Sequence, residues 1–487
     1  MDMDKRFYVT TPIYYANGAP HVGHFVTTTA ADVVARYYRQ TIGNNNVFFT
    51  TGLDEHGTTV EQSAIKEGYN LKTIQKYVDK RAVEWKKAFE QTGISYNYFV
   101  RTTNPKHEEF AKQFIQKLID NNDVYKSKYY GKYCNGCEKF LTLSDLNKEG
   151  YCPLHRPDQV VKVEEKNYFF KLSKYAPKVK KLILENKISI IPESKREEIL
   201  SRLGGKIEDI SISRPKEKVA WGIDFPNDSR QTCYVWIEAL INYISSLEIT
   251  DKKEFWLNAH HFLGKDISWF HNVIWPAMLL SAKYNLFKGT FIHSFVIISG
   301  EKISKSKGNI ITPKELIEKY GVDGTRYVIL SNFPYINDSD ITWGHLTEKY
   351  NADLANGLGN LVSRVAKLCE QNDLALSSDT NVKPHVSYSS QQGGYHVHIE
   401  RFEFNLALEE IWRDIKDLDV EISKNHPWDL SKEKAAQPLQ KYARELINIA
   451  YALKPFLPET AEKIEKQFRG PKIKSEAPLF PRLPTGR

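Results

Sequence analysis

The first group of residues with chemical potential is an H-x-G-H motif, in which His21 and His24 flank Gly23 directly after a turn over 17–20. Two imidazoles can donate hydrogen bonds to phosphate oxygens, and a glycine between them lets a flat base or ribose approach the backbone. Taken alone, the motif has a simpler explanation, since histidines at a helix start also serve as caps and packing groups. The pattern therefore indicates a phosphate site only if other residues support it.

A second group has the spacing of metal ligands. Cys134 and Cys137 form a C-x2-C pair, and Cys152 and His155 form a C-x2-H pair a short loop later. Three thiolates and one imidazole suit tetrahedral zinc, and a site with no open ligand position is structural rather than catalytic. The alternative is three buried thiols and a surface histidine, but both pairs keep the same two-residue gap. We predict one structural zinc ion per chain.

A third position of interest is Asp54, in the loop GLDEHG that follows a strand predicted over 46–51. Ligands bind at the carboxyl ends of strands in doubly wound sheets, so Asp54 is placed to hold a cation such as the α-ammonium of an amino acid. The alternative is that Asp54 caps the helix predicted to start near Thr58. The two roles are compatible.

A basic loop, EKISKSKGN, spans 301–309 after an apolar, strand-like run over 291–298. Its composition alone is typical of a solvated surface turn. Lys302 and Lys305 nevertheless place two cations on a short loop, where they could face phosphates.

Hydrophobic periodicity predicts the elements that position these residues. Residues 7–39 indicate a buried strand, a turn and an amphipathic helix, which together open a doubly wound α/β sheet. Surface helices are predicted over 72–91 and 105–120. Short, tyrosine-rich, glycine-broken strands then indicate an insertion over 112–215.

Two apolar helical faces follow the insertion. Each repeats at the spacing of one helix face, and the members are Trp236, Ala239, Leu240 and Tyr243 on the first, and Ile267, Phe270, Ile274 and Met278 on the second. His271 lies beside the second face. For a bare stripe of this kind, core packing is the ordinary explanation.

The remainder of the chain is predicted to be helical. The helical segments after 312–327 are 348–371, 402–424, 435–453 and 458–468, a spacing that predicts an antiparallel bundle. The polar stretch over 377–398 is expected to be a long mobile loop, with His396 and His398 exposed rather than bound to metal.

Length and composition set the outer limits. A chain of 487 residues is too long for one core. A net charge of +8 suits a polyanionic partner without proving one. No run of 18 apolar residues occurs, so no membrane span is expected. The first strand is predicted to begin by about Phe7, so no signal or transit peptide is expected. Five cysteines in this arrangement favour a reducing compartment, with Cys233 and Cys369 packed as small apolar residues.

Several blocks, in this order, carry a family resemblance: PIYYANGAPHVGH, TGLDEHG, YVWIEALINY, HFLGKDISWFHNVIWPAML, KISKSKGN and NLVSR. H-x-G-H followed far downstream by K-x-S-K-S is the signature pair of class I aminoacyl-tRNA synthetases. The full set resembles the methionyl-tRNA synthetases, of the bacterial or organellar type with a single pair of zinc knuckles. The resemblance extends across nearly the whole chain.

The resemblance implies a Rossmann-type parallel sheet with an inserted zinc-binding connective domain, followed by an all-α anticodon-binding bundle. The implied segments are 1–111 and 216–290 for the two halves of the nucleotide-binding domain, 112–215 for the insertion, 291–345 for the basic loop and stem-contact region, and 346–487 for the bundle. No further C-terminal tRNA-binding or dimerisation domain is expected.

The resemblance also assigns site residues. The catalytic residues would be His21, His24, Lys302 and Lys305. Those that bind ATP would be Asn17, Gly23, Gly264, Asp266 and Lys305, with Mg²⁺ accompanying the nucleotide. Those that bind methionine would be Ile13, Tyr15, Asp54, Trp236, Ala239, Leu240, Tyr243, Ile267 and His271. Those that bind the anticodon would be Asn360, Arg364 and Trp428.

The implied activity is ATP-dependent ligation of methionine to tRNA(Met), including the initiator, through methionyl-adenylate. The protein is expected to be a cytoplasmic monomer. Glu238, where many relatives have Asp, and Ile303, in place of the commoner Met, are mild departures. Arg214 matches a position near the family's active site, but an arginine before a proline is equally a loop residue.

Two other readings of the sequence stay open. One is a synthetase for another apolar amino acid such as leucine, although those usually carry an editing insertion that this length cannot hold. The other is a non-enzymatic tRNA-binding protein descended from a synthetase, against which intact His21, His24 and Lys305 argue. For Trp428 and Arg364, the alternative to base contact is that the tryptophan closes the bundle core and the arginine is a surface charge.

Overall fold

The structure, a computed structural model, describes residues 6–141, 145–153, 156–298, 300–302, 311–333, 335–374, 394–470 and 472–484. The chain forms two compact units. The first unit comprises Met1–Pro20, Asn45–Glu90 and Tyr96–His293, and the second comprises His21–Asn44, Gln91–Ser95 and Ser294–Arg487.

The described strands, in chain order, are β1 (Phe7–Tyr15), β2 (Val47–Asp54), β3 (Tyr98–Arg101), β4 (Val124–Cys134), β5 (Lys139–Leu141), β6 (Val160–Phe170), β7 (Ser189–Ile191), β8 (Ile210–Ser211), β9 (Ser213–Pro215), β10 (Asp224–Phe225), β11 (Asp228–Cys233), β12 (Ala259–Gly264), β13 (Gly289–His293), β14 (Val296–Ile298), β15 (Glu301–Lys302) and β16 (Ser339–Asp340).

The described α-helices, in chain order, are α1 (Val22–Ile42), α2 (Thr58–Lys66), α3 (Ile74–Gln91), α4 (Pro105–Asp120), α5 (Leu172–Leu184), α6 (Glu193–Arg202), α7 (Val235–Thr250), α8 (Trp275–Ser281), α9 (Pro313–Leu330), α10 (Trp343–Lys349), α11 (Asn360–Gln371), α12 (Gly394–Glu400), α13 (Phe404–Asn425), α14 (Lys432–Leu453) and α15 (Pro458–Arg469). None of the helices in the described ranges is both long and apolar enough to cross a membrane.

The first unit is built on a six-stranded sheet in the order β3-β2-β1-β12-β13-β7. Every neighbouring pair in it is parallel. β1 and β2 consist largely of buried residues, as expected for strands covered on both faces. The predicted parallel α/β sheet is confirmed.

The segment over 112–215 contains a separate antiparallel sheet in the order β5-β4-β6-β8. β4 and β6 pair along their full lengths, from Val124 opposite Phe170 to Cys134 opposite Val160. β7, from the same segment, instead pairs with β13 at the edge of the parallel sheet. Part of the predicted insertion therefore contributes a strand to the parallel sheet.

The helix α7 is apolar almost all round and packs on α4 in the core of the first unit. Among its buried residues are four polar ones, Glu238, Asn242, Ser245 and Ser246. Buried polar groups of this kind need hydrogen-bond partners, and those of Glu238 are two buried histidines, His56 and His107.

In the second unit, α1 packs on α9 around a buried ion pair. Arg326 Nη2 lies 2.8 Å from Asp32 Oδ2, and both side chains are fully buried. The same guanidinium donates to the carbonyl oxygens of Phe456 at 2.7 Å and Pro455 at 3.0 Å. Residues from three distant parts of the sequence thus meet at one arginine.

The C-terminal part of the second unit is helical, as predicted, with α14 packing on α11, α13 and α15. The segment predicted as one helix over 348–371 contains a π-helical stretch, Tyr350–Gly359, before α11. The apolar run over 291–298 is likewise divided. It supplies β13 to the parallel sheet and β14 to a small sheet in the order β15-β14-β16.

The predicted mobile loop over 377–398 is wrong at its end. Most of it lies outside the described residues, but residues 394–398 belong to α12. His398, expected to be exposed, is 8% exposed, and its Nδ1 lies 2.6 Å from Glu403 Oε2. His396 is half-buried and its Nδ1 lies 2.6 Å from the Tyr37 hydroxyl. Packing against neighbouring helices and side chains accounts for both corrections.

Candidate active site

The H-x-G-H motif begins α1, and both histidines cap this helix. His21 Nδ1 accepts a hydrogen bond from Gly23 N at 3.2 Å, and His24 Nδ1 accepts one from His21 N at 3.2 Å. The rings stack with their centroids 3.7 Å apart. Because each Nδ1 accepts, a neutral ring carries its proton on Nε2. The caps therefore orient two Nε2–H donors, so capping and phosphate binding are compatible roles.

A backbone hydrogen bond links this helix start to the chain just after the basic loop. Val22 N donates to Ile311 O at 2.9 Å, and Ile311 directly follows residues 303–310, which lie outside the described part of the chain. Lys305 falls in that stretch, and Lys302 is described only as part of the backbone of β15. The helix start is therefore bonded to Ile311, two residues after the end of the basic segment 301–309.

Asp54 lies at the carboxyl end of β2, opposite Tyr15 at the end of β1. Its side chain is 4% exposed, and Oδ1 has no hydrogen-bond partner. The N-cap residue of α2 is Gly57, which has no side chain to cap the helix. The alternative that Asp54 is the N-cap residue is therefore wrong. A buried, unpartnered carboxylate oxygen is costly and marks a place where a ligand can bind.

Burial raises the pKa of Asp54 well above its ordinary value, and the charges of Glu238 and Glu138 raise it further. Burial, with Glu138 and Asp54, also raises the pKa of Tyr15, whose hydroxyl oxygen is buried without a partner. An opposite charge would favour the ionised form of Asp54. The site therefore favours a ligand that brings a positive charge.

Aromatic rings form a wall next to these strand ends. Trp236 packs edge-on against Tyr15, with 6.0 Å between ring centroids, and stacks on Phe270 at 4.6 Å. The other apolar residues predicted for the slot are buried or half-buried, namely Ala239, Leu240, Ile13 and Ile267. The predicted apolar faces thus lie in the same unit as Asp54.

His271 and Tyr243 add a neutral polar pair to this region. His271 Nε2 lies 2.7 Å from the Tyr243 hydroxyl, and His271 Nδ1 lies 3.0 Å from Ile267 O. Because a carbonyl oxygen only accepts, Nδ1 carries the proton and Nε2 accepts from the tyrosine. Burial lowers the pKa of His271 to about 4, so the ring is uncharged near neutral pH.

A buried network centred on Glu238 was missed by sequence reasoning. Its two carboxylate oxygens lie 2.8 Å from His56 Nδ1 and 3.0 Å from His107 Nε2, while His107 Nδ1 lies 2.7 Å from Ser245 Oγ. Burial opposes ionisation of Glu238, but the two histidines hold its pKa below the ordinary value. One signal was available, because Glu238 is the single charged residue in the apolar stretch YVWIEALINY.

The residues predicted for nucleotide binding in this unit lie at strand ends. Gly264 ends β12 and Asp266 is an exposed residue of the next turn, while Asn17 is in the turn after β1. β1 neighbours β12, and the chain continues outward from this pair in both directions, which makes the crevice between them a topological switch point. A Cβ at Gly264 would lie 2.9 Å from Asp266 Oδ1, so glycine there leaves room for the carboxylate.

Three of the four predicted metal ligands lie together. The Sγ atoms of Cys134, Cys137 and Cys152 are within 4.8 Å of one another, and those of Cys137 and Cys152 are 3.6 Å apart. Zinc–sulfur bonds of about 2.3 Å in a tetrahedron place sulfur atoms roughly 3.8 Å apart, so the cluster fits. The cluster could hold a metal ion. His155 lies outside the described residues.

The other cysteines and Arg214 have structural explanations. Cys233 and Cys369 are buried free thiols, as predicted. Arg214, whose role the sequence left open, is 6% exposed and donates through Nε and Nη2 to the two oxygens of Glu165, both at 2.7 Å. This bidentate pair fastens β9 to β6 within the first unit.

The predicted anticodon residues lie in the second unit. Arg364 Cζ lies 5.2 Å from the ring centroid of Trp428, and Arg364 Nη1 donates to Asp419 at 2.9 Å. Trp428 is 48% exposed, so the alternative that it closes the bundle core is wrong. Asn360 is exposed at the start of α11, one helical turn before Arg364. The Trp428 ring and the Asn360 side chain are thus exposed, while Arg364 lies on that ring and is hydrogen-bonded to Asp419 and Ser423.

Comparison with known proteins agrees with this geometry. The family model described as tRNA synthetases class I (M) matches residues 7–160 and 154–366. A parallel sheet with a topological switch point, a chain that carries the H-x-G-H and K-x-S-K-S motifs, and this match together define a class I aminoacyl-tRNA synthetase. Similarity to solved structures indicates which family of class I synthetases the chain resembles. The methionyl-tRNA synthetase of Mycobacterium tuberculosis in complex with methionyl-adenylate is 31% identical, with a TM-score of 0.86 over 98% of this chain and 100% of that chain.

Curated relatives indicate the same family. Methionine–tRNA ligases from Fusobacterium nucleatum and Caldanaerobacter subterraneus are 37% and 38% identical, over 99% of this chain and 80% and 79% of theirs. The ligase of Rickettsia felis is 35% identical over 99% of this chain and 95% of its own. The chain belongs to the methionyl-tRNA synthetase family.

Proposed function

We propose that the protein is a methionine–tRNA ligase. It activates L-methionine with ATP to give methionyl-adenylate and pyrophosphate, then transfers the methionyl group to the terminal ribose of tRNA and releases AMP. One observation carries the assignment of the amino-acid site. Asp54 is a buried carboxylate with an unpartnered oxygen, at the end of a central strand and in the same unit as an aromatic slot, in a chain of this family.

Asp54 binds the α-ammonium group of methionine. The ammonium group balances the negative charge of the buried carboxylates, and it donates a hydrogen bond to Asp54 Oδ1. The slot binds the side chain. Trp236 and Tyr15 suit an unbranched, polarizable thioether, which makes favourable contacts with aromatic edges. Because His271 is neutral, the slot presents no charge to this apolar group.

The first chemical step needs no protein nucleophile. A carboxylate oxygen of methionine forms a bond to the α-phosphorus of ATP while the bond from that phosphorus to the bridging oxygen breaks, and pyrophosphate leaves. We assign stabilisation of the developing charge to the Nε2–H groups of His21 and His24 and to the ammonium groups of Lys302 and Lys305. Asn17, Gly23, Gly264 and Asp266 hold the nucleotide, and Mg²⁺ enters with the ATP phosphates.

One zinc ion per chain is held by Cys134, Cys137, Cys152 and His155. The donor set and the sulfur separation support this assignment. When bound, zinc supplies a structural crosslink and takes no part in the transfer steps. Elemental analysis of the purified protein tests the proposal, with one zinc per chain expected. A content well below one would contradict it.

The second unit supplies tRNA recognition. A base splayed from the anticodon loop stacks on Trp428, while Asn360 and Arg364 contact the same base or its phosphate. The substrates are tRNA(Met) species, including the initiator. We further propose a monomeric, cytoplasmic enzyme with the segments 1–111, 112–215, 216–290, 291–345 and 346–487 in the roles that the resemblance implies.

Pyrophosphate exchange measured with each amino acid in turn tests the function. We expect exchange that depends on methionine, with other apolar amino acids far weaker. Stronger exchange with leucine would identify a different synthetase, and no exchange with any amino acid would favour a tRNA-binding protein without enzymatic activity. Aminoacylation of tRNA(Met) transcripts completes the test.

A further inference from the structure

Glu138, the residue directly after Cys137 in the metal knuckle, contacts the helix that follows Asp54. The Glu138 side chain is 1% exposed. Its Oε1 accepts from Thr59 N at 2.7 Å and from the Thr58 hydroxyl. These donors belong to the first turn of α2. A residue from the inserted segment therefore caps a helix in another part of the first unit.

The start of α2 is built to receive this carboxylate. Gly57 is the N-cap residue and offers no capping side chain, so the free N–H groups of the first turn need another acceptor. A Cβ at Gly57 would lie 2.9 Å from Glu138 Oε2, and the φ of +93° there also favours glycine. Negative charge is favoured at this end of the helix dipole.

The same knuckle also contacts the slot through its main chain. Trp236 Nε1 donates to Cys137 O at 3.1 Å, and the Tyr234 hydroxyl donates to Glu138 O at 2.5 Å. Trp236 is the aromatic wall of the slot. The orientation of its ring is thus set by a carbonyl group of a proposed metal ligand.

The loop between Asp54 and α2 is held on its other side by Trp221. Trp221 Nε1 donates to Glu55 O at 2.6 Å, and Gly57 N donates to Trp221 O at 3.1 Å. Glu138 closes the remaining end of this short loop. Its Oε2 is buried and has no hydrogen-bond partner. A buried acidic oxygen left unpaired is retained at a cost, which is typical of functional sites.

We infer that Glu138 is a positioning residue for methionine binding. By capping α2 it fixes the short loop that follows Asp54, and the adjoining Cys137 carbonyl fixes Trp236, so the metal knuckle sets both ends of the amino-acid site. The inference rests on the proposed function. It predicts that loss of the Glu138 side chain weakens methionine binding without removing zinc or affecting ATP.

The test compares Glu138→Ala, Glu138→Gln and the control Glu149→Gln, an exposed acid of the same inserted segment. Methionine affinity is measured by calorimetry, which needs no catalysis, and the KM values for methionine and ATP by pyrophosphate exchange. We expect Glu138→Ala to raise the Kd and KM for methionine about tenfold, with the KM for ATP unchanged. Glu138→Gln keeps an oxygen acceptor for Thr59 N and should stay within about threefold of the parent.

Zinc content and melting temperature are measured on the same samples. The inference is overturned if Glu138→Ala binds methionine as tightly as Glu149→Gln does. It is also overturned if Glu138→Ala loses zinc, or melts at a lower temperature, with the KM values for methionine and ATP raised together. In that case the residue would only support the knuckle. Failure of the proposed function can be distinguished from failure of this inference, because the unsubstituted protein itself would then show no methionine-dependent pyrophosphate exchange.

Discussion

Aromatic side chains differ in exposure and in how firmly they are held between the proposed amino-acid slot of the first unit and the Trp428 surface of the second unit. In the slot, Trp236 is stacked on Phe270 and tied by its indole N–H, and the nearby Asp54 is 4% exposed. Trp428 is 48% exposed and has Arg364 on its ring. The first site is enclosed and fastened, whereas the second is open.

If the proposed functions are right, this difference decides how each site selects its ligand. A buried carboxylate with an unpartnered oxygen favours a ligand that brings a positive charge, because the unpaired group costs far more than an exposed one. An exposed ring gains ~1–3 kcal/mol from a stacked base, whichever base it is, so selectivity there must come from neighbouring donors such as Arg364 and Asn360. Variants at the buried site should therefore have the larger effects.

The largest effect is expected for Asp54→Asn. The amide keeps the shape of the carboxylate but loses the charge that binds the ammonium, so kcat/KM for methionine in pyrophosphate exchange should fall about 10³-fold. The KM for ATP should change little. Asp251→Asn, an exposed carboxylate at the end of α7, is the matched control. A fall of less than about tenfold would mean that the buried site is not charge-selective.

Lys305→Ala tests whether chemistry is separate from amino-acid binding. Loss of one donor to the transition state should slow adenylate formation about 10²–10³-fold while methionine affinity stays constant. Single-turnover kinetics and calorimetry measure the two quantities. Lys314→Ala, an exposed lysine at the start of α9, controls for loss of positive charge. A parallel collapse of methionine binding would assign the loop a structural role instead.

Trp428→Ala sharpens the comparison at the open site. Loss of a stacking face should lower kcat/KM for tRNA about 10–100-fold and leave pyrophosphate exchange intact. Because the side chain is half exposed, the melting temperature should not change. Leu430→Ala, another exposed apolar residue nearby, is the control. A lowered melting temperature, or normal charging of tRNA, would remove the proposed contact.

The smallest effect is one of pH. The pKa of Asp54 is raised by burial and then by Glu238 and Glu138, so protonation of this carboxyl begins at higher pH than for an exposed one. Only the ionised form pairs with an ammonium group. We expect kcat/KM for methionine to decline toward acid by up to about tenfold per pH unit. The KM for ATP should not follow this curve, and a shared decline would point to another group.

Sequence alone predicted the elements well where one local signal decided them. α4 has the predicted limits because its helix periodicity is uninterrupted, and β1 lies where strand residues were predicted to precede the turn over 17–20. It failed where distant segments interact. Nothing beside Ser189–Ile191 indicates that it pairs with β13, and nothing beside Glu138 indicates that it caps α2. Such contacts depend on the folded topology, which periodicity does not carry.

The candidate site shows the same division. Asp54 could be named because it follows a predicted strand end, which is a local pattern. The slot residues could be named only because the family resemblance assigns them, since their helical spacing alone indicates core packing. The partners of Glu238 could not, since His56 and His107 are drawn to it by the burial of a carboxylate that must be hydrogen-bonded. The exposed Trp428 was predictable only as an aromatic residue after a proline, and its accessibility required the structure.

The ion pair between Asp32 and Arg326 also affects how the chain can fold during synthesis. α1 buries Phe25, Val33 and other apolar residues, yet Arg326 is made about 290 residues after Asp32. At about 5–20 residues per second, the helix that bears His21 and His24 leaves the ribosome roughly 15–60 s before its partner α9 exists. For that time its apolar face lacks the helix that covers it in the folded second unit.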